Sequence, residues 1–577
     1  MSVSEAKASE AAAVLSLRRR LLGIAAPLGM SIVALAALLG TSTHYGMVWD
    51  EGYTIRRERL LDEWFPRAIA PVRPGEWRLA FEKPDLDRYW RFSREEPNGH
   101  PPFYALLGLA GWRLSQRWLP ALEAYRFGPM LLAATTVGVI YHHLARRRGP
   151  LAGALAAVFL MAMPRTFAHA HYAHYDMPMT CLWLLAQVAF VASLESRTWA
   201  VALGVALGLG AGTKLTGLFA VLPAIAWVTG FELLPGLFPG GTVRSATTRP
   251  PRPGLRTLAI AVPLAALTLY AIQPPWWIEP LSGPIRFLAS NLSRAKTQPL
   301  PTLYLGTIYE FALPWHNTIV LTGVTTPVVV LLLELIGIVG CLAHRREEPW
   351  LMIWPLSWAT LMVIRALPNA PGHDGIRLFL PSVASLAVLA GLGTSWLADR
   401  LGTGWRLIIS LVAVGECLVG IAQTYPYTDS YFNVAIGGLK GAQRAGFELT
   451  YYWETAGPEF LDWAGTEASK KPVTLSFPMD ATNHALIREW GGIPPGVRII
   501  DLNAHPTGKP VEPDYYVQQR RRGLWYPDDR WLDRFGHPVF VIRRQGVDLL
   551  RVYTHQESLE AARRTQDEPV PRSLHRP

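Results

Sequence analysis

The sequence contains very few cysteines and few charged residues for its length. Its three cysteines, among 577 residues, all lie in apolar runs: Cys181, Cys341 and Cys417. They have no metal-ligand spacing, so neither a disulfide framework nor a zinc site built on cysteine is expected. Charged residues make up 17% of the chain and hydrophobic residues 50%, a balance that is not that of an ordinary soluble protein.

Long apolar runs are also missing from one part of the chain. They occur between residues 21 and 423, whereas 424–577 contains none. This polar part explains why the mean hydropathy is only +0.17. The net charge of +11 does not indicate a nucleic-acid partner, because the basic residues form short clusters between apolar runs. Such clusters are typical of the cytoplasmic loops of membrane proteins.

The apolar runs predict a polytopic α-helical membrane protein, since a bilayer core needs about 20 apolar residues per helix. The first run follows Arg18-Arg19-Arg20 and is predicted to be an uncleaved anchor rather than a signal peptide. If all the arginine clusters face the cytoplasm, the N-terminus lies inside and the C-terminus outside. About eleven spans are predicted, at 21–40, 124–144, 150–164, 177–194, 199–213, 215–234, 257–276, 318–342, 350–365, 378–397 and 405–423.

The connections between these spans define the predicted domains. Residues 1–20 would be cytoplasmic, 21–423 would form the membrane domain, and 236–256 would be a flexible cytoplasmic linker. The first outer loop, 41–123, is too long for a plain connection. Within it, 101–118 combines an apolar helical pattern with Arg113, Gln116 and Arg117, which predicts an amphipathic helix at the membrane interface.

The polar tail predicts a small α/β domain outside the membrane, over residues 424–562. Residues 563–577 are expected to be disordered. Period-two patterns of β-branched and aromatic residues predict strands. The predicted strands are Val473–Phe477, Val497–Ile500, Tyr515–Val517 and Val539–Ile542, and the predicted helices are Phe460–Ala468 and Thr482–Trp490.

Ionisable residues gather at the predicted outer boundary of the membrane. Asp50 and Glu51 follow the first span, and two adjacent carboxylates are costly there without a function. Asp176 begins the fourth span on the same side. Lys214 separates two apolar runs and must either face a cavity or extend to the surface. The arginines Arg365 and Arg377 lie at the same level and suit phosphate through their forked geometry.

Several motifs resemble one family of membrane enzymes. These are Trp49-Asp50-Glu51, His100-Pro101-Pro102-Phe103-Tyr104, Asp176-Met177-Pro178, and the stretch from Gly372 to Pro381. Tyr431-Phe432-Asn433, followed by Gly437-Gly438, adds to the pattern. Together they resemble the polyprenyl-phosphate-sugar-dependent glycosyltransferases of the GT-C fold, family 39-like, which include protein O-mannosyltransferases and lipid A aminoarabinose transferases. The resemblance covers roughly residues 20–440.

This resemblance implies roles for the boundary residues. Asp50 would be the catalytic base for an incoming hydroxyl, with Glu51 as its neighbour, and Asp176 would orient the acceptor or share the proton. Lys214 would bind the donor phosphate, with Arg377 and Arg365 as alternatives. His100 is a further candidate for the donor phosphate, at a position where some members of the family carry a lysine or glutamate. The structural alternatives are that Asp50 and Glu51 only cap a helix end, and that the Lys214 side chain only extends to the membrane surface (snorkelling).

Other residues are candidates for substrate binding or for a metal site. His169, His171, His174 and Asp176 have donor types that suit zinc, yet interfacial histidines are more often plain hydrogen-bonding groups. Metal use therefore stays open: a divalent metal fits the acidic pair, but none is required. The candidate substrate-binding residues are Tyr53, Arg56, Tyr104, Trp315, His316, His373 and Asp374.

The sequence thus predicts a membrane glycosyltransferase of the bacterial inner membrane with a periplasmic active site. Its partners would be a polyprenyl-phosphate sugar, an acceptor protein, lipid or glycan, and the bilayer itself. By resemblance, the displacement would invert the anomeric carbon. The alternative is a transporter or flippase for a lipid-linked substrate, which predicts charges near the bilayer midplane and an internal repeat. Neither feature is evident in the sequence.

Overall fold

The computed structural model describes residues 23–70, 75–90, 100–234, 252–292, 300–477, 481–500 and 512–569. The chain up to residue 424 is mostly helical. Its principal helices are Gly23–His44, Trp49–Ile69, Phe103–Ser115, Ala121–Arg148, Pro150–Ala162, Pro164–His171, Asp176–Ser193, Trp199–Ala211, Leu215–Leu233, Pro253–Ala271, Asn317–Thr325, Val328–Ala343, Ile353–Ala366, Gly375–Leu401 and Thr403–Thr424. Shorter helices are Glu76–Leu79, Lys83–Tyr89, Pro274–Ile278 and Ser282–Leu292.

Six helices in the described ranges are long and apolar enough to cross a bilayer, or seven if one bent pair counts as a single span. Every one of the predicted spans overlaps a helix, but the other helices are shorter or more polar than this criterion requires. The chain is therefore a multi-pass membrane protein, with fewer long spans than the eleven predicted. The six are Gly23–His44, Asp176–Ser193, Leu215–Leu233, Pro253–Ala271, Gly375–Leu401 and Gly404–Thr424.

Proline interrupts one predicted span and lies at the end of another. The span predicted at 318–342 is wrong as a single helix, because Asn317–Thr325 ends just before Pro327 and a second helix follows. Proline has no N–H to donate and its ring blocks the preceding turn. The helix Pro150–Ala162 likewise ends before Pro164. A second helix begins there, and the angle between the two helices is 68°. This second helix, Pro164–His171, occupies much of the connection between the spans predicted at 150–164 and 177–194.

The centre of the membrane domain is the helix Gly375–Leu401, whose apolar window is entirely buried. It packs against Val328–Ala343 through glycine. A Cβ atom on Gly337 would lie 2.0 Å from the carbonyl oxygen of Leu389, and one on Gly393 would lie 2.0 Å from that of Leu333. Small residues let membrane helices approach this closely.

The outer helices present apolar side chains to their surroundings. Only 22% of the apolar window of Gly404–Thr424 and 17% of that of Pro253–Ala271 are buried inside the protein. Leu411 and Leu418, on the former, are 62% and 55% exposed. An exposed apolar face of this extent is explained by contact with lipid chains.

The helix Phe103–Ser115 matches the amphipathic helix predicted in the first outer loop. It packs against Trp49–Ile69 and Ala121–Arg148. Ala105 and Leu109 are buried in that contact, whereas Leu114 on the other face is 67% exposed. One buried face and one exposed apolar face fit a helix that lies at an interface.

The strands are β1 Thr302–Tyr304, β2 Thr307–Tyr309, β3 Val473–Ser476, β4 Val497–Ile500, β5 Tyr515–Gln519, β6 Phe540–Arg544 and β7 Val547–Thr554. The tail contains the predicted strands in one mixed sheet. Its order is β4-β3-β5-β7-β6, with β3 parallel to β4 and β5, and β7 antiparallel to β5 and β6. The strand β7 was not predicted, because Asp548 and Arg551 interrupt its apolar pattern. A separate hairpin, β1–β2, lies before the tail.

In the tail, Pro458–Lys470 packs on β3, β4 and β6, and His555–Arg564 packs on β5 and β7, whereas Ala481–Glu489 packs on Trp49–Ile69. The helices described in the tail include both predicted ones. They are Gly438–Arg444, Pro458–Lys470, Ala481–Glu489, Pro527–Phe535 and His555–Arg564. The predicted cytoplasmic segment 1–20, most of the predicted linker 236–256 and residues 570–577 lie outside the described residues. The last predicted segment, 563–577, is thus described only up to residue 569.

Candidate active site

The carboxylate of Asp50 lies where the membrane domain and the tail meet. Asp50 is in the first turn of the helix Trp49–Ile69. Its Oδ2 accepts hydrogen bonds from the hydroxyls of Tyr175 and Tyr452 and from Nη2 of Arg377. The Asp50 side chain is 19% exposed, which makes it the most accessible carboxylate of the surrounding cluster. Three donors therefore converge on one oxygen of a carboxylate that the solvent can still reach.

Arg377 links Asp50 to two other carboxylates. Its Nε donates to Oδ2 of Asp176 over 2.6 Å, and its Nη1 donates to Oδ2 of Asp374 over 2.7 Å. The remaining nitrogen reaches Asp50 and also the Tyr175 hydroxyl, 2.6 Å away. The Arg377 side chain is only 6% exposed. The flat fork of a guanidinium suits this use, because each of its edges can meet a separate carboxylate.

Lys214 completes the charged cluster on the far side of Asp176. Its Nζ lies 2.5 Å from Oδ1 of Asp176 and 4.9 Å from the centre of the Tyr175 ring. The lysine has an extended backbone between the helices Trp199–Ala211 and Leu215–Leu233. Its side chain is buried against Asp176 and does not extend to the surface, so the snorkelling alternative is wrong.

The environment of Asp50 favours its ionised form. Burial by itself would raise the pKa of Asp50, but Arg377 and the hydroxyls of Tyr175 and Tyr452 outweigh it and lower the pKa below its usual value. Positive charge and hydrogen bonds to the carboxylate both stabilise the anion. Asp50 is thus a carboxylate, ready to accept a proton, at neutral pH.

The tail supplies residues that the sequence analysis did not identify. Nη2 of Arg521 donates to Oδ1 of Asp374 over 2.7 Å, and its guanidinium lies 4.4 Å from the ring of Trp453. Trp453 in turn lies beside Trp49, with 4.4 Å between ring centres. The signals present in the sequence were the aromatic run that contains Tyr452 and Trp453 and the three arginines around Arg521.

Glu51 lies apart from this cluster, on the other side of the helix. It forms a fully buried ion pair with Arg126, with 2.8 Å between Oε1 and Nε. Its oxygens also accept from the backbone N–H groups of Val48, at 2.9 Å, and Ala173, at 2.7 Å. Arg126 donates further to backbone oxygens of the segment 42–46. The pair holds the start of the Asp50 helix in place and does not face the Asp50 carboxylate.

Two further predicted phosphate ligands lie near the cluster. Arg365 donates to the hydroxyl of Thr216 over 3.2 Å. Because Thr216 follows Lys214 by two residues, this contact brings Arg365 near Lys214. His100 is buried, and its ring centre lies 3.9 Å from that of Tyr175. His100 therefore lines the site through an aromatic contact.

The predicted substrate-binding residues divide into two groups. Tyr104 is buried against the cluster and accepts a hydrogen bond from Arg57 over 2.6 Å. His373 and Asp374 precede the central helix, and Asp374 is one of the carboxylates bound by Arg377. The others have different surroundings: Arg56 is exposed, Trp315 is 68% exposed, His316 bonds to Tyr304, and Tyr53 is half-buried.

The histidines considered as metal ligands are buried in different surroundings. His171 contacts the Thr41 hydroxyl at 2.8 Å and stacks on Tyr45. His174 lies 3.4 Å from Asp176, and His169 lies beside the tail. Within the described ranges, no group of three or more His, Cys, Asp or Glu side chains is arranged to hold a metal ion.

The comparison with protein families matches the segment that carries much of this site. Residues 99–234, which include Asp176 and Lys214, match the family of dolichyl-phosphate-mannose-protein mannosyltransferases. This match confirms the resemblance predicted from the sequence motifs. The chain is a glycosyltransferase. A comparison with curated proteins finds no significant match.

Solved structures of membrane glycosyltransferases are similar at low identity. ArnT from Cupriavidus metallidurans in the apo state is 17% identical, with a TM-score of 0.44, over 92% of this chain and 98% of that one. The same protein bound to undecaprenyl phosphate is 14% identical, with a TM-score of 0.43, over 91% and 97%. AglB from Archaeoglobus fulgidus, in complex with an inhibitory peptide and a dolichol-phosphate, is 14% identical, with a TM-score of 0.42, over 86% and 62%.

Proposed function

We propose that this glycosyltransferase moves a sugar from a polyprenyl-phosphate donor to an acceptor hydroxyl or phosphate on the periplasmic side of the bacterial inner membrane. The observation that carries the proposal is the cluster in which Asp50, Asp176, Lys214 and Arg377 meet. In this proposal, residues 21–423 form the catalytic membrane domain with the GT-C fold. Residues 424–562 form the outer domain that covers its site.

The reaction would be a single in-line displacement. The acceptor oxygen forms a bond to the anomeric carbon as the bond from that carbon to the phosphate oxygen breaks, so the configuration is inverted. A hydroxyl acceptor passes its proton to Asp50, whereas an ionised phosphate acceptor needs no base, and the polyprenyl phosphate departs with the bonding electrons. Because phosphate is a good leaving group, no strong general acid is required, and the step needs a base for the hydroxyl and cations for the departing phosphate.

The geometry of Asp50 supports its role as the base. Asp176 and Asp374 are more deeply buried, with side chains 0% and 5% exposed. Among the described residues, the hydrogen bonds to Asp50 that come from Tyr175, Tyr452 and Arg377 all end on Oδ2. Oδ1 is therefore the oxygen that would accept the proton.

Lys214 is the stronger candidate for the donor phosphate. Arg377 already donates from all three of its nitrogens, so we assign it the task of holding the three carboxylates. Among the described residues, the Lys214 ammonium donates to Asp176 alone, and an ammonium has three N–H donors. Two of them can therefore turn to a phosphate, and Arg365 at Thr216 is placed to add a second charge.

The test is donor turnover by purified protein in nanodiscs. A panel of polyprenyl-phosphate sugars is offered with peptide, lipid and glycan acceptors, and free polyprenyl phosphate is measured by mass spectrometry. We expect Asp50→Asn to lose about 100-fold or more in turnover, in the range of a general base, while it still binds donor. Lys214→Ala should weaken donor binding.

The matched control is Asp62→Asn. Asp62 lies on the same helix as Asp50 but is paired with the exposed Arg113, so its loss should leave turnover unchanged. Full turnover by Asp50→Asn would refute the base assignment. Wild-type protein that consumes no donor but moves it across the bilayer would refute the proposed reaction.

A further inference from the structure

A short segment of the tail enters the site from outside the membrane domain. It runs from Thr450 to Glu454, between the last long helix and the sheet. The Tyr452 hydroxyl donates to Asp50, and the Arg377 guanidinium lies 4.2 Å from the centre of the Tyr452 ring. The carbonyl oxygen of Tyr452 accepts a hydrogen bond from the N–H of Trp49 over 3.2 Å. One residue of the tail thus contacts Asp50 itself and the backbone beside it.

Glu454 holds this segment in shape. Its carboxylate accepts from the backbone N–H of Tyr452 over 2.8 Å, from that of Tyr451 over 3.3 Å and from the Ser430 hydroxyl over 3.2 Å. Glu454 is only 3% exposed. Trp453, between these residues, has φ of +60°, a left-handed conformation that costs free energy for a bulky side chain and persists only where the surroundings hold it.

We propose that Tyr452 is a positioning residue for Asp50, and that Glu454 in turn positions Tyr452. The inference rests on the proposed function, because it concerns the same base. The Tyr452 hydroxyl donates a hydrogen bond to Oδ2 of Asp50, and this orients the carboxylate so that Oδ1 faces the acceptor. The same hydrogen bond stabilises the ionised form of Asp50. The acceptor site is therefore complete only when the tail is docked on the membrane domain.

The pH dependence of the rate separates this role from a general effect on folding. Without the Tyr452 hydroxyl the Asp50 anion loses a donor, so the acidic limb of the pH–rate profile moves to higher pH. A partly unfolded protein would instead lose rate equally at every pH. The charged and titratable groups that face Asp50 include Arg377, Tyr175, Tyr452, His174, Asp374 and Tyr104. Those that face Glu454 are led by Asp429.

The first experiment compares Tyr452→Phe with wild type over a pH series in the donor-turnover assay. We expect kcat/KM to fall about 10- to 100-fold, as for the loss of a hydrogen bond to a charged group, and the acidic limb to move upward. The control is Tyr427→Phe, since the buried Tyr427 also donates to a carboxylate, that of Glu459 at 3.1 Å. An unmoved limb in Tyr452→Phe would overturn the proposal.

The second experiment tests Glu454 through a double-mutant cycle. Glu454→Gln has only one oxygen to accept the two backbone N–H groups, so it should shift the limb in the same direction as Tyr452→Phe. If Glu454 acts through Tyr452, the effects of the two substitutions are far from additive in the double variant. Additive effects would show that Glu454 serves the fold alone.

A third measurement does not depend on turnover. 3-Fluorotyrosine is placed at position 452, and its fluorine resonance is followed from pH 7 downward, with and without Asp50→Asn. We expect a titration that Asp50→Asn abolishes. A resonance unaffected by Asp50→Asn would overturn the contact, whereas the expected titration in a protein that consumes no donor would refute only the proposed function.

Discussion

Arg377→Lys is the substitution that best tests how the site is held together. The variant keeps one positive charge, but the compact ammonium cannot reach Asp50, Asp176 and Asp374 together, as the fork of Arg377 does at 2.6 and 2.7 Å from the last two. Asp176 would keep Lys214 and Asp374 would keep Arg521. Even so, at least one carboxylate would lose its bond to the guanidinium, and the loss of a hydrogen bond to a charged group costs about 1.5–3 kcal/mol. We therefore expect a large fall in the apparent melting temperature, and loss of transfer.

The control for this prediction is Arg59→Lys. Arg59 and Glu489 form an ion pair whose side chains are 34% and 55% exposed, and such pairs contribute about 1 kcal/mol or less. Both variants are melted in the same detergent, with tryptophan fluorescence as the signal. If Arg377→Lys unfolds within the range of Arg59→Lys, the claim that Arg377 holds three carboxylates together is wrong.

Three other predictions concern the fold and the charged pairs. Gly337→Val should prevent folding, since its Cβ would meet a backbone oxygen at 2.0 Å, whereas Gly415→Val, with nothing within 4 Å, should express normally in a membrane-fraction assay. Arg126→Met leaves Glu51 buried and unpaired, so it should cost about 3 kcal/mol or more in thermal unfolding. The pKa of Asp50 is lower in the folded protein than in the unfolded chain. The ionised carboxylate therefore stabilises the folded protein at pH values above the unfolded pKa, and this stabilisation is lost as the pH falls through the pKa of the folded protein. A series of melts toward acid pH should therefore be flatter for Asp50→Asn.

The central residues of the site could be predicted from the sequence, through the family resemblance and the pattern of apolar runs. Asp50, Asp176, Lys214 and Arg377 were expected at one level of the membrane because each lies at the outer end of an apolar run. The structure places them in direct contact. Their catalytic roles stay predictions, as do the orientation in the membrane and the division into domains.

The bounds of several helices and strands also follow from local sequence. The strand β4 is observed at the predicted residues, and helices begin at prolines such as Pro150 and Pro253 because proline needs no N–H partner at that position. The exceptions have local causes. One predicted helix runs through Pro327, which ends a helix instead. The strand β7 was missed because its charged residues interrupt the alternation of apolar and polar side chains.

Other features depended on tertiary structure alone. Glu51 was grouped with Asp50 because the two are adjacent, yet successive residues of a helix point in different directions, and Glu51 finds Arg126 instead. Tyr452 and Arg521 come from a tail whose own pattern indicates only a small α/β fold. Which tyrosine and which arginine of that tail reach Asp50 and Asp374 is decided by how it docks, because a contact between residues hundreds of positions apart leaves no periodic signal in the chain.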